Sequence, residues 1–582
     1  MSVKGFLGSV HNKNQNLNFG GQPTTTFEGG KAYTLDLEEK LCHAFTMGFL
    51  NGNFYTKQED VIKVTRDLFN EALIKCPELA TKYAVYAAED LGMKLMPTLW
   101  LVYVSTLQDK TLFQVAFPRI MGKNVKLVHD FVDLCRNSDI RPGGIHNQKI
   151  KKGQHRGLGQ GVKKVINKWT YGVADDYNIT RFAGIWEDIL RLTRPLDKVV
   201  TRQGKDSSYE LDLGNLFKYI FQPKDEAGKN LPRRLTFKRA KALKEAIEIL
   251  NDKNRSYEEF QTALSNITAS KLQMDEIKHT FGNLNRNELQ AVYMHFVPEM
   301  RYAVMVSNLV AIEKAFATST RRVNKLDPMG SGKTFEQDQV LETNIPKELI
   351  QIVATKLASF EDYKASKMLF FRLLTAHEMT ITKEWKVALN KILGEAGKIA
   401  FANLPEGRTI RCSADTSGSM SWEDRQVTPT LFAVDVAAYL TAAITLSTPN
   451  TQAYATATHT KIVPLTSDNL VDCAIKIKQT NVGGGTCFET LLEGYKGEDV
   501  VIIVTDGEQS DNMERKWKSL SNRPAHAKLI VWHVANWTTF HKISNDPNIL
   551  YLKGYSDSLL NVLANLITGK AGQPEIVRSI KL

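Results

Sequence analysis

Arg408–Met420 reads RTIRCSADTSGSM, a short apolar-leaning run that passes without a break into Asp415-Thr416-Ser417-Gly418-Ser419. Ile410–Ala414 is strand-like in length and is stopped by small polar residues and glycine. Two further runs of the same kind follow, Val500–Val504 and Leu529–Val534, with helical stretches between them such as the alanine-rich Phe432 to Leu446. Strand alternating with helix predicts a parallel sheet covered on both faces. Ligands of such sheets bind beyond the carboxyl ends of the strands, which is where Asp415–Ser419 falls. A second loop, Gly483-Gly484-Gly485-Thr486, precedes a helical stretch, and a third, Thr505-Asp506-Gly507-Glu508, ends the most apolar strand. Together the three loops offer two carboxylates and three hydroxyls. Hard oxygen donors with few carboxylates suit Mg²⁺ better than zinc, and glycines let the loops approach closely.

The order Asp-x-Ser-x-Ser, then a distant Thr, then a distant Asp resembles the metal-ion-dependent adhesion site of von Willebrand A domains. That resemblance implies that Asp415, Ser417, Ser419, Thr486 and Asp506 hold the ion, directly or through water. It also implies that a partner's carboxylate can complete the shell.

Outward from this segment the pattern changes at the turn Leu404-Pro405-Glu406-Gly407. Between about 36 and 395 the periodicity is helical: Val61, Val64, Leu68 and Ala72 recur at helical spacing, as do Ala240, Leu243, Ile247 and Leu250. Long alternating strand patterns are missing, and Pro77, Pro97, Pro195 and Pro298 punctuate the run. Such a stretch predicts stacked helix pairs. The first 30 residues, rich in Gly, Asn and Thr, read as a loose arm. The resulting division is a flexible arm over 1–30, a helical region over 31–400 and an α/β domain over 401–582. At 582 residues the chain exceeds what one core supports.

Charge separates the regions. The chain carries 75 basic and 63 acidic side chains, and residues 401–582 hold 17 and 18 of them, so the positive excess lies in the N-terminal two-thirds. A polyanion partner is the natural reading of that part. From Ile140 to Ala174 there is no Asp or Glu, while Lys151, Lys152, Arg156, Lys163, Lys164 and Lys168 fall inside it. After Gly157–Gly161 a helix is predicted, with Val162, Val165, Ile166 and Trp169 on one face and Lys163, Lys164 and Lys168 opposite. Three ammonium groups presented outward bind phosphates as point charges. A second acid-free stretch, Lys229–Lys244, adds Arg233, Arg234, Lys238 and Arg239. The competing reading is a solvated lysine face. Nearby Trp169, Tyr171 and Tyr177 offer rings on which bases stack, although Trp169 sits on the apolar stripe.

Other motifs fail on inspection. Gly330-Ser331-Gly332-Lys333-Thr334 lacks the earlier glycine of a phosphate loop, since Asp327 stands there, and no apolar strand precedes it. His377-Glu378 lacks the second histidine of a zinc protease, since Ile381 stands there. No catalytic grouping is placed by spacing, and no catalysis is expected. Six dispersed cysteines without a CxxC pair fit reduced thiols in a cytosol. No stretch approaches the roughly 18 apolar residues a membrane span needs.

With these residues in hand, the chain resembles the Ro autoantigen (TROVE module) family over nearly its whole length. The resemblance is carried by Gly52-Asn53-Phe54-Tyr55, by Gly157–Trp169, and by WEDILRLTRP at Trp186–Pro195. It continues through MRYAVMVSNLVAIE at Met300–Glu313, KMLFFRLLT at Lys367–Thr375, and Arg408–Met420. It implies a multidomain protein: an all-α ring of HEAT-like helical repeats followed by an α/β Rossmann-like von Willebrand A domain. It further implies a monomeric ribonucleoprotein component in the cytoplasm. Small noncoding Y-like RNA would bind the basic outer surface, and single-stranded 3′ ends of structured or misfolded RNA the ring's hole. A nuclease or other protein is the partner implied for the C-terminal domain. Lys163, Lys164, Lys168 and Arg181 are the RNA contacts carried over. Ser307 departs from the family's arginine, and the loop between Trp169 and Trp186 is shorter than in animal relatives. The rival reading is a metal-dependent protein-binding scaffold that binds no RNA.

Overall fold

The structure, a computed structural model, describes residues 23–25, 31–47, 58–136, 158–203, 208–226, 229–326, 334–366, 368, 370–401, 407–421, 426–428, 431–534, 541–542, 544–546, 548–554, 558–568 and 573–582. Gly52–Tyr55, Lys151, Lys152 and Arg156 lie outside them. Two compact units are present: Met1–Met96 with Arg301–Lys581, and Pro97–Met300. The expected boundary near 400 is therefore not where compactness divides. Helix Lys383–Phe401 belongs to the unit that holds the sheet and packs on helix Ala433–Ser447 there, so closely that a Cβ added at Gly397 would lie 3.7 Å from that of Ala443.

The sheet of the first unit has six strands. These are β1 (Ile410–Asp415), β2 (Thr451–Thr456), β3 (Thr460–Ile462), β4 (Val500–Thr505), β5 (Lys528–His533) and β6 (Ile549–Lys553). Their spatial order is β3-β2-β1-β4-β5-β6, parallel throughout except for the β3 edge. The chain leaves β1 toward one edge and returns to β4 on its other side, which makes the β1/β4 boundary a topological switch point. Every residue of β1 and β4 is buried, and in β4 this shows as an unbroken apolar run, whereas β1 also buries Arg411 and Ser413. Below β4, Phe488, Leu491, Met513 and Trp517 pack on Val501 and Ile503. On the other face, helix Ala433–Ser447 is buried nearly all round, which explains its many alanines.

The same unit gathers both ends of the chain. The Arg578 guanidinium pairs with Glu38 of helix Leu37–Met47, whose carboxylate also accepts from the Tyr83 hydroxyl at 3.2 Å. Residues 23–25, expected within the loose arm, instead form a strand. It pairs with Lys31–Thr34, which in turn pairs with His541–Lys542.

The second unit is built of short helices in pairs. Helices Lys238–Asn251 and Tyr257–Ala269 meet across Leu243, Leu250, Phe260, Leu264 and Ile267, and a Ser256/Glu259 capping box starts the second of them. Trp169 stacks on Trp186 at 5.7 Å and donates its indole N–H to the Gly122 carbonyl at 2.6 Å. Among the described residues no helix is long and apolar enough to cross a membrane, and none is joined by a disulfide.

Two expectations for the helical region are corrected. It contains two hairpins, Val199–Gln203 with Ser208–Asp212 and Ala317–Leu326 with Thr334–Thr343. The latter strands carry β-branched Thr318, Thr320 and Val323 among polar neighbours, so no apolar alternation announces them. Within helix Gln58–Lys75 the buried face is Thr65, Leu68, Phe69 and Ala72, and Val64 lies outside it.

At the amino end of the sheet, Asp499 accepts from the Thr409 N–H (2.9 Å), the Thr409 hydroxyl (2.9 Å), Arg408 (3.1 Å) and His526 (2.5 Å). Burial alone would raise its pKa. The hydrogen bonds from Thr409, His526 and Arg408 outweigh that and hold the carboxyl well below the usual carboxylate range. A depressed pKa stabilises the fold at pH values above the unfolded pKa of about 3.9, and that stability is lost as pH falls through the folded value. Asp499→Asn should therefore cost about 1–2 kcal/mol at pH 7, solvent screening at this edge limiting the loss. Urea unfolding should show the gap from wild type narrowing below about pH 4; a pH-independent gap would refute the account.

Candidate metal centre and candidate nucleic-acid interface

Asp415 is the last residue of β1, and Asp506 directly follows β4. Because Ala414 is in register with Val504, the two carboxylates emerge side by side at the switch point. The Ser417 N–H donates to Asp415 Oδ1 at 2.9 Å, closing a tight turn that brings Ser417 Oγ within 3.2 Å of Ser419 Oγ. The loop carrying Thr486 is tied to both neighbours. The Gly418 N–H donates to the Gly484 carbonyl at 3.0 Å, and Ser510 donates to the Thr486 carbonyl through its N–H (2.9 Å) and hydroxyl (2.6 Å). Asp415, Ser417, Ser419, Thr486 and Asp506 are all buried. The three loops singled out in the sequence thus converge on one place.

The electrostatics of that place are unbalanced. Burial raises the pKa of Asp415, and the charge of Asp506 beside it raises it further. The Thr486 Oγ1 is buried and has no hydrogen-bond partner among the described residues, a condition that native interiors rarely tolerate. These residues fit a divalent cation, which would neutralise the carboxylates and could take the stranded hydroxyl as a ligand. Among the described residues no group of three or more His, Cys, Asp and Glu side chains offers a metal site of another type. Sequence reading assigned no role to Thr458 and Ser510, which anchor these loops. Thr458 Oγ1 accepts from the Gly485 N–H at 3.0 Å, and a lone hydroxyl in a loop carries no periodic signal.

The basic residues divide into two sets. Helix Gln160–Val173 buries Val162, Val165, Ile166 and Trp169 as its spacing predicts, leaving Lys164 and Lys168 exposed and Lys163 half-buried. Arg234 and Lys238 are exposed and pair with no described acid. The other arginines pair with acids, only one of which is fully buried. Arg239 pairs with the buried Glu276. Arg233 reaches Glu187 at 3.2 Å and the Ile220 carbonyl. Arg181 pairs with Asp275 at 2.5 Å and lies over the Phe182 ring at 4.7 Å. Arg181, Arg233 and Arg239, all expected as RNA contacts, are thus each engaged with an acid, which sets them apart from Arg234 and Lys238. The acid-free sequence around Arg233 and Arg239 concealed acids that the fold delivers from 46 and 37 residues away.

The fold defines a helical-repeat protein joined to a von Willebrand A-like sheet domain with three converging loops at its switch point. No protein-family model and no curated protein matches the chain. Among solved structures, the crystal structure of the Deinococcus radiodurans Ro (RSR) protein is similar over 92% of this chain and 100% of that one, with a TM-score of 0.56 and 14% identity. The chain shares the fold of that protein.

The sorting of basic residues has a measurable consequence. Arg239→Ala should cost about 3 kcal/mol by leaving Glu276 buried and uncompensated. Arg234→Ala with Lys238→Ala should change stability by no more than about 0.5 kcal/mol. Chemical denaturation of both variants checks this; a mild Arg239→Ala would mean that its pair is solvated.

Proposed function

We propose that the protein binds RNA as a ribonucleoprotein component, and that the exposed face of helix Gln160–Val173 is its primary phosphate contact. The observation that carries the reading is the burial of that helix's whole apolar stripe, which leaves Lys164 and Lys168 outward and Lys163 at the margin. These lysines belong to a 35-residue stretch without an acid. Soluble surfaces ordinarily intersperse the signs. The shared Ro fold supports the same reading, and the sequence resemblance supplies its finer terms. In those terms Y-like small RNA binds this surface, and single-stranded 3′ ends of structured or misfolded RNA bind elsewhere in the helical region. Lys151, Lys152 and Arg156 extend the basic tract by sequence, and Arg234 and Lys238 form a secondary exposed pair. The C-terminal domain holds Mg²⁺ through Asp415, Ser417, Ser419, Thr486 and Asp506 and docks a protein partner such as a nuclease, so the chain acts as an adaptor with no catalytic step. A cytoplasmic monomer suits this role.

The test is RNA binding by a Lys163→Glu, Lys164→Glu, Lys168→Glu triple variant across a salt series. Wild type should bind a small structured RNA at low salt and lose affinity steeply as salt rises. The variant should bind at least about tenfold more weakly, with a salt slope shallower by about 2. Equal affinity and equal slope would remove this surface from the proposal.

A second reading, the metal-dependent protein scaffold, is favoured by the stranded Thr486 hydroxyl. Mg²⁺ at a hundredfold excess over its Kd should stabilise the fold by about 2.7 kcal/mol, and Thr486→Ala should reduce that gain. Chelator separates the readings: RNA affinity unchanged in EDTA belongs to the ribonucleoprotein, and a protein that ignores RNA but loses its partner in EDTA belongs to the scaffold.

A further inference from the structure

We propose that Thr505 is a positioning residue of the metal centre, holding the Asp415 carboxylate in the orientation that a cation requires. The inference rests on the metal reading given above and adds to it a residue outside the five-residue ligand pattern.

Thr505 closes β4 as Asp415 closes β1, and the register of the two strands sets them side by side. Its hydroxyl donates to Asp415 Oδ2 at 2.6 Å. The same oxygen accepts the Gly507 N–H at 3.0 Å. A backbone N–H can only donate, so the threonine oxygen is the acceptor there and its single proton is committed to the carboxylate. The other Asp415 oxygen is fixed by the Ser417 N–H at 2.9 Å. Hydrogen bonds on both oxygens pin the plane of the carboxylate and leave further lone pairs for a cation.

The donor chain is held in turn by the fold. Gly507 has φ +90°, and a Cβ there would lie 2.4 Å from the buried His533 ring. Only glycine serves at that position without strain, and its conformation aims the N–H back at Thr505. The relay Gly507 N–H to Thr505 O–H to Asp415 is therefore built from β4 and the turn after it, with both donors out of water. Groups that orient a metal ligand from outside the ligand set govern affinity nearly as strongly as the ligands do.

The experiment titrates MgCl₂ into the full chain by calorimetry and records melting in EDTA and in Mg²⁺. Thr505→Val keeps the side-chain shape and loses the proton, and Thr505→Ser keeps the proton. Thr505→Val should weaken Mg²⁺ binding about ten- to hundredfold and abolish most of the Mg²⁺-induced rise in Tm, while Thr505→Ser binds close to wild type. Should Thr505→Val fold poorly, Thr505→Ala reads the same contact. A hydroxyl that merely stabilises the fold would lower Tm equally in EDTA and in Mg²⁺ and leave Mg²⁺ affinity unchanged, and that result overturns the assignment alone. A wild-type protein that takes up no Mg²⁺ overturns the metal reading and this assignment together.

Discussion

Parallel pairing of β1 with β4 inside a sheet covered on both faces is the constraint from which the C-terminal architecture follows. Once Ile410 lies opposite Val500, Asp415 and Asp506 have no choice but to leave the sheet at the same end, both shielded from water. Two adjacent carboxylates in such a place are unfavourable unless something positive joins them or hydrogen bonds spread their charge. The surrounding loops supply the second remedy in part, through Ser417 and Thr505. The loop ties among Gly418, Gly484, Thr486 and Ser510 keep the hydroxyls from relaxing away. The resulting arrangement is rigid, oxygen-lined and short of positive charge.

The helical region obeys a different economy of charge. Its basic residues are numerous, and local sequence says little about what each one faces. Arg255 and Arg239 are matched to Glu288 and Glu276, both buried, so these guanidinium groups lock helices together. Among the described residues the lysines on helix Gln160–Val173 have no such partners, and their flexible stems would suit a ligand whose phosphates vary in position. Arginine in these two buried pairs and lysine on the surface of this one helix are uses that the two side-chain chemistries favour.

The convergence of the three loops of the candidate metal centre was legible because their residues sit at strand ends, in short motifs whose geometry is local. The apolar stripe of Val162, Val165, Ile166 and Trp169 was legible for the same reason, as one helix face. What escaped depends on partners far along the chain. The role of Thr505 exists only through the register of β4 against β1. The fates of Arg181, Arg233 and Arg239 exist only through acids brought in by tertiary packing. The hairpin Ala317–Leu326/Thr334–Thr343 escaped because strand pairing without apolar alternation leaves no period to detect. The compact units escaped because helix Lys383–Phe401 reads as one more repeat until its packing against the sheet unit is seen.

The tie between Glu38 and Arg578 joins positions 540 residues apart, and the unit it closes is interrupted by all of Pro97–Met300. On a ribosome adding about 5–20 residues per second, Glu38 waits roughly half a minute to two minutes for its partner. Pro97–Met300, by contrast, is continuous in sequence and can complete its core while the rest of the chain is still being made. Helix Leu37–Met47 meanwhile carries apolar residues, Leu41 and Phe45 among them, that are buried in the finished protein. The discontinuous unit is thus the last to assemble, and its early segments are the part of this chain with the longest need of protection during synthesis.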